Sequence, residues 1–206
     1  MIAIVDYKAG NLTSVAAALD HLGHQCEITD RPERIRAADR VIIPGVGAAG
    51  ATMENLVALE LTSVLRDDVA RAGKLFLGIC IGIQVLLDYS AEDDQKCLGI
   101  IPGKVVKFPT SVDGRQLKVP QIGWNRVHQT RSHPIFEGVP DNAHFYFVNS
   151  YYPVPIDPAI TIATSDYGLT FTAAVAQENV IATQFHLEKS GVAGLRMLDN
   201  FCRMKT

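Results

Sequence analysis

The chain has 206 residues, a formal net charge of −3 and 48% hydrophobic residues. That length supports one well-packed core and predicts a single domain over residues 1–206, while the charge balance gives no sign of a nucleic-acid partner. No apolar run approaches the roughly 20 residues of a membrane-spanning helix, and Met1-Ile2-Ala3-Ile4-Val5-Asp6 lacks the basic region of an export signal. The cysteines Cys26, Cys80, Cys97 and Cys202 are widely spaced, which predicts reduced thiols in a cytoplasm and no disulfide frame, metal site or cofactor.

In chain order, Ile2 to Val5 is a short apolar strand. Gly10-Asn11 opens a helix in which Leu12, Val15, Ala16, Leu19 and Leu22 form an apolar stripe, with Asn11 as N-cap and Gly23 as stop. Cys26 to Ile28 reads as a second strand, Arg31 to Ala38 as a short polar helix, and Arg40 to Ile43 as a third strand. The glycine-rich Pro44-Gly45-Val46-Gly47-Ala48-Ala49-Gly50 follows. It lacks the Gly-Lys-Ser/Thr ending of a Walker loop. It does match G-x-G-x-x-G, but after the third strand and with no acidic residue at a following strand end, so the dinucleotide reading fails too. Thr52 to Ala72 is helical, and Lys74 to Tyr89 gives a strand, a turn and a helix. This alternation predicts an α/β fold, an open, mostly parallel, doubly wound sheet with helices on both faces. From Gly99 to Gln184 the pattern changes to short β-like runs: Lys104 to Phe108, Leu117 to Val119, Ala143 to Val148, Thr161 to Thr164, Phe171 to Ala176 and Val180 to Phe185. They predict antiparallel strands added to the same sheet or flanking it. A last helix, Gly191 to Arg203, buries Leu195, Leu198, Phe201 and Cys202.

The most informative stretch is Leu75-Phe76-Leu77-Gly78-Ile79-Cys80-Ile81-Gly82-Ile83-Gln84. A buried strand here enters a helix through G-x-C-x-G, the pattern of a nucleophile elbow with cysteine in place of serine. The glycines let the backbone turn tightly and the helix sit close on the strand. Cys80 then lies at a helix amino end, where unpaired N–H groups point outward. A helix terminus contributes only about 0.3–1 kcal/mol, so a reactive thiol also needs a nearby base. The competing reading, weaker on the elbow alone, is a buried, inert cysteine.

Of the six histidines, His21, His24, His128, His133 and His144 sit at helix ends or among polar residues and read as structural. His186 ends the apolar run Val180-Ile181-Ala182-Thr183-Gln184-Phe185 and precedes Leu187-Glu188. In an extended segment His186 and Glu188 share a face. A carboxylate can then hold one imidazole nitrogen while the other faces a thiol.

Gly78-Ile79-Cys80-Ile81-Gly82-Ile83-Gln84, Pro44-Gly45-Val46-Gly47 and Thr183-Gln184-Phe185-His186-Leu187-Glu188-Lys189-Ser190 together resemble the class I (triad) glutamine amidotransferases, in particular the glutaminase subunits of imidazole glycerol phosphate synthase. Further matching stretches are Gly10-Asn11-Leu12-Thr13-Ser14-Val15, Val119-Pro120-Gln121-Ile122-Gly123-Trp124-Asn125 and Phe145-Tyr146-Phe147-Val148-Asn149-Ser150-Tyr151-Tyr152, so the resemblance runs essentially end to end. It implies Cys80 as nucleophile, His186 as general base and acid, and Glu188 as the carboxylate that orients it. It implies an oxyanion hole from the backbone N–H groups of Val46 and Ile81. Gly47, Gln84, Glu92, Ser150 and Tyr151 match positions that hold substrate glutamine. The implied partner is a (β/α)₈-barrel cyclase in a heterodimer, with imidazole glycerol phosphate and an aminoimidazole carboxamide ribotide as the products in histidine biosynthesis. Trp124, Asn125, Tyr146 and Lys189 belong to matching motifs without a part in the thiol chemistry and are expected at that interface. Leu187 stands where the family usually has Pro, and Asn149 where it usually has His. The rival readings are a paralogous amidotransferase subunit, a free-standing thiol hydrolase of the same fold, and a degenerate, non-enzymatic interaction subunit.

Overall fold

A computed structural model describes residues 1–205. The first half supplies strands β1 (Ile2–Val5), β2 (Cys26–Thr29), β3 (Arg40–Ile43) and β4 (Leu75–Ile79). Between and after them lie helices α1 (Leu12–His21), α2 (Pro32–Ala37), α3 (Ala49–Ala58), α4 (Leu61–Ser63) and α5 (Ile81–Leu86). The second half adds the short strands β5 (Tyr89–Ser90), β6 (Gln95–Lys96), β7 (Gly103–Lys107), β8 (Ser111–Val112) and β9 (Arg115–Gln116). Then come β10 (Gln121–Gln129), β11 (Ala143–Asn149), β12 (Tyr151–Pro155), β13 (Thr161–Asp166), β14 (Thr170–Gln177), β15 (Val180–Thr183) and helix α6 (Gly191–Arg203).

Among the described residues, nine strands form one sheet in the order β11-β10-β13-β14-β15-β4-β3-β1-β2. The run from β2 to β15 is parallel, and the strands from β15 out to β11 pair antiparallel. A smaller sheet, β12-β7-β5-β6, stands beside it.

Strand periodicity explains why the sheet is covered on both sides. In β1, Ile2 and Ile4 pack with Val15 and Leu19 of α1 and Met197, Leu198 and Phe201 of α6. The alternate residues Ala3 and Val5 pack with Ile35, Met53, Leu56 and Ile83 of the helices on the other side. Strands buried on both faces read as unbroken apolar runs, as β3 and β4 do.

The structure corrects several sequence expectations. Asn11 sits at the start of α1, but its side chain makes no capping hydrogen bond. The helix expected over Thr52 to Ala72 begins earlier, at Ala49, and breaks where Glu60 takes a left-handed φ of 56°. It resumes in α4 and continues as π-helix over Val64–Arg71. Leu117 to Val119 is not a strand; the ladder begins at Gln121, after Pro120, which has no N–H to give it. The run from Val180 stops at Thr183; it pairs antiparallel with β14, as expected, and parallel with β4, so it joins the two halves of the sheet. β15 and β4 therefore end side by side, Thr183 opposite Ile79, and both open their carboxyl ends at the same place.

Candidate active site

Cys80 follows β4 and begins α5 in a strained conformation, φ 55° and ψ −105°. Its amide donates to the Thr183 carbonyl at 2.8 Å, tying the turn to the end of β15. The flanking glycines are dictated by contact. A Cβ on Gly82 would lie 2.3 Å from the Ile43 carbonyl oxygen, and one on Gly78 would lie 2.9 Å from the Gly82 backbone. A side chain at either position would push α5 off the sheet and move the thiol. Strain of this kind costs on the order of 1–3 kcal/mol and persists where the surroundings fix it.

Three residues past the end of β15, His186 bridges to β11, its amide donating to the Tyr146 carbonyl at 3.0 Å. Leu187–Lys189 is a 3-10 turn, not the extended segment expected from the sequence. The turn forms because the Ser190 hydroxyl donates to the His186 carbonyl and also accepts the Tyr146 amide, pulling the chain back on itself. The pairing survives this change: His186 Nδ1 and Glu188 Oε1 are 2.8 Å apart, with both side chains almost fully buried. Nε2 is buried and makes no hydrogen bond among the described residues. Burial works against the imidazolium, but the Cys80 and Glu188 contacts outweigh it and raise His186 from 6.5 to about 9.

A pocket of about 250 Å³ opens over the thiol. Val46, Gly47, Cys80, Ile81, Gln84, Glu92, Ser150 and Tyr151 all line it, so the structure brings the expected oxyanion and substrate residues to one place. Pro120, Val148 and Asn149 complete the wall and were not among the expected site residues. Their signal was adjacency: Val148 and Asn149 directly precede Ser150-Tyr151. Asn149 is buried, and its Nδ2 donates to the Tyr151 carbonyl at 3.0 Å. Glu92 Oε2 accepts the Ala49 amide at 2.9 Å, and burial pushes its carboxyl above the usual range. Gln84 is buried and donates to the Tyr151 carbonyl at 3.3 Å. The other thiols differ from Cys80 in lying away from this pocket. Burial pushes Cys97 up to about 11 and Cys202 up to about 12.

The family model for "Glutamine amidotransferase class-I" matches residues 3–204 of the chain. The chain belongs to the class I glutamine amidotransferases. Among individual relatives, "Imidazole glycerol phosphate synthase subunit HisH" of Dehalococcoides mccartyi is 52% identical over 205 residues, covering 99% of this chain and 97% of that protein. The protein of the same name from Nitratidesulfovibrio vulgaris is 52% identical over 209 residues, covering 100% and 97%. Among solved structures, one described as a glutamine amidotransferase superposes with a TM-score of 0.72 at 18% identity, covering 98% of both chains. PurLQS from Thermotoga maritima gives 0.72 at 16% identity, covering 98% and 96%. At those identities the superpositions establish the shared amidotransferase fold.

In this amidotransferase the residues expected at a partner interface lie along β10 and β11, apart from Lys189. Trp124 is exposed and stacks edge-on against Tyr146, ring centroids 6.1 Å apart. Ile122 and Trp124 lie on the same outer face at 60% and 56% exposure, opposite Val148 and Tyr146. Asn125 turns away from that stripe and donates to the Asp166 carbonyl at 2.7 Å. Lys189, half-buried, ends the turn after His186.

Proposed function

We propose that residues 1–206 form one glutaminase domain that hydrolyses glutamine to glutamate through a Cys80 γ-glutamyl thioester and passes the ammonia to a synthase subunit in histidine biosynthesis. The observation that carries this reading is the buried imidazole held by Glu188 at one nitrogen, its pKa raised by both Cys80 and Glu188, with the Cys80 thiol lining a pocket of about 250 Å³. The half-identical, full-length relatives named as imidazole glycerol phosphate synthase subunits support the pathway.

The chemistry follows from the groups present. As the sulfur of Cys80 attacks the side-chain carboxamide carbon of glutamine, its proton passes to His186, which becomes the imidazolium. Negative charge gathers on the carboxamide oxygen, where the Ile81 and Val46 N–H groups serve as donors. A donor placed there is worth about 2.7–4 kcal/mol at comparable sites. Imidazolium Nε2–H protonates the leaving nitrogen, ammonia departs, and the γ-glutamyl group stays on sulfur. Neutral His186 then takes a proton from water as its oxygen attacks the thioester, which releases glutamate and restores the pair. Glu92 pairs with the substrate ammonium, while Gln84, Ser150, Tyr151 and the Gly47 backbone hold its main-chain end.

A free-standing thiol peptidase of this fold fits the pocket less well. The volume of about 250 Å³ falls below the roughly 300–1,000 Å³ of sites for larger ligands. A peptidase also needs no clamp for a free amino acid. A paralogous synthase remains the alternative partner.

Ammonia released into water becomes ammonium, which has no lone pair for attack, so useful transfer requires a closed route to an acceptor. The stripe of exposed Ile122 and Trp124 beside half-buried Tyr146, with Asn125 and Lys189 at its margins, is the face for the partner, a (β/α)₈-barrel cyclase, in a cytoplasmic heterodimer. Among the described residues no helix is long and apolar enough to cross a membrane. Steady-state glutamine hydrolysis by the chain alone, then with the cyclase, then with cyclase and acceptor ligand tests the coupling. A stepwise rise is the expected result, and full-speed hydrolysis by the isolated chain contradicts it.

A further inference from the structure

Gln184 is the first residue beyond β15 and is fully buried. Its side chain lies between Gln84 and the thiol, behind the pocket wall. Gln84 Nε2 lies 3.3 Å from the Tyr151 carbonyl and 3.1 Å from Gln184 Oε1, and Gln184 Nε2 lies 3.8 Å from Cys80 Sγ. The orientation of both amides follows from one fixed group. A backbone carbonyl only accepts, so the Gln84 atom against Tyr151 is the NH₂. The Gln184 atom that meets the same NH₂ must then be its oxygen, which leaves the Gln184 NH₂ aimed at sulfur. Phe185 and His186 follow directly, so the segment that carries the imidazole also carries this donor.

We infer that Gln184 is a positioning residue for the thiol, donating an N–H to Cys80 Sγ and joining the sulfur to the substrate pocket through Gln84. This inference rests on the reading of Cys80 as the nucleophile. A donor toward sulfur favours its anionic form over the thiol, since a hydrogen bond to a charged acceptor is stronger than one to a neutral acceptor. The Gln84 link also gives the amide a second duty. Gln84 lines the pocket, so the group that holds the sulfur donor in place is itself part of the substrate wall.

Two variants of the full chain separate these duties. Gln184→Met keeps the length and removes both donor and acceptor. Gln184→Glu keeps an acceptor for Gln84 and puts an oxygen where the N–H faced sulfur. Alkylation of Cys80 by iodoacetamide, followed by mass spectrometry across pH, reads the sulfur without reference to glutamine. The pH midpoint of alkylation is expected to move upward in Gln184→Met and further in Gln184→Glu. With the partner present, kcat should fall about tenfold in both, the loss expected when a hydrogen bond to a charged group is removed. KM should rise in Gln184→Met and stay within about twofold in Gln184→Glu, where Gln84 keeps its partner. Folded variants that alkylate with the wild-type midpoint overturn the inference. If Gln184→Glu does not fold, the Gln184→Met midpoint decides by the same criterion. A wild-type chain that fails to hydrolyse glutamine overturns the glutaminase reading instead, while the alkylation result still reports on the Gln184 contact.

Discussion

The Tyr7 hydroxyl occupies the space that a side chain on Gly45 would need: a Cβ there would lie 1.6 Å from the oxygen. Tyr7 is fully buried, and its hydroxyl donates to the Pro44 carbonyl at 2.8 Å, so it pins the entry to the Gly45-Val46-Gly47 loop from beneath. Beyond that pin a side chain meets no such obstacle, since Gly47 has φ 132° and nothing within 4 Å of its Cβ position.

Gly45→Ala and Gly47→Ala should therefore differ. Both meet a backbone strain of about 1–3 kcal/mol. Gly45→Ala adds an overpacking cost of about 1–3 kcal/mol against Tyr7. Urea unfolding should rank Gly45→Ala as the less stable by at least about 1 kcal/mol, and its glutamine hydrolysis should fall further. Equal effects would mean that the loop does not rest on Tyr7.

A pH window follows from His186. Its folded value, about 9, lies above the ordinary 6.5, so its charged form stabilises the fold fully below 6.5. That contribution is lost as pH rises through about 9. Thermal melts should show a decline over that interval that shrinks in Cys80→Ala, because the thiol is one of the groups raising the imidazole. In activity, kcat should fall above pH about 9, where no imidazolium remains to protonate the leaving nitrogen. An identical decline in the alanine variant would detach the raised imidazole from the thiol.

Glu188→Gln should lower kcat less than His186→Ala, since in the proposed mechanism Glu188 orients the ring while His186 carries the proton. Equal or reversed losses would assign Glu188 another role. Leu187→Pro should change activity only a few-fold. His186 has φ −84° and ψ 108°, which a following proline favours, and the first position of a 3-10 turn accepts a proline φ. The cost is in packing, because Leu187 is fully buried in the core. A melting point lower than wild type, with near-normal kcat, is the expected pattern.

The elbow and the parallel core were legible because their signals are local. Gly78 and Gly82 are required by contacts within one strand–turn–helix unit, and the apolar runs of β3 and β4 mark strands buried on both faces. What sequence alone missed depends on distant partners. β10 is hard to read because its outer residues, Ile122 and Trp124, are exposed and apolar, which spoils the alternation of a half-buried strand. His186 and Glu188 do pair, but across a 3-10 turn and not the extended segment their i, i+2 spacing suggests, since the Ser190 hydroxyl and Tyr146 set the turn. Gln184 escaped notice for the same reason: its partners, Gln84 and Cys80, are about a hundred positions away in the chain.

The thioester on Cys80 is the centre of the account, and trapping it is the most direct test. The wild-type chain, with and without its synthase partner, is incubated with an electrophilic glutamine analogue and mapped by peptide mass spectrometry. One adduct per chain on the peptide containing Cys80 is expected, blocked by excess glutamine and absent in Cys80→Ala. Cys26, Cys97 and Cys202 should stay unmodified, and their alanine variants should label normally. An adduct on any other cysteine, or labelling that glutamine does not block, would contradict the assignment.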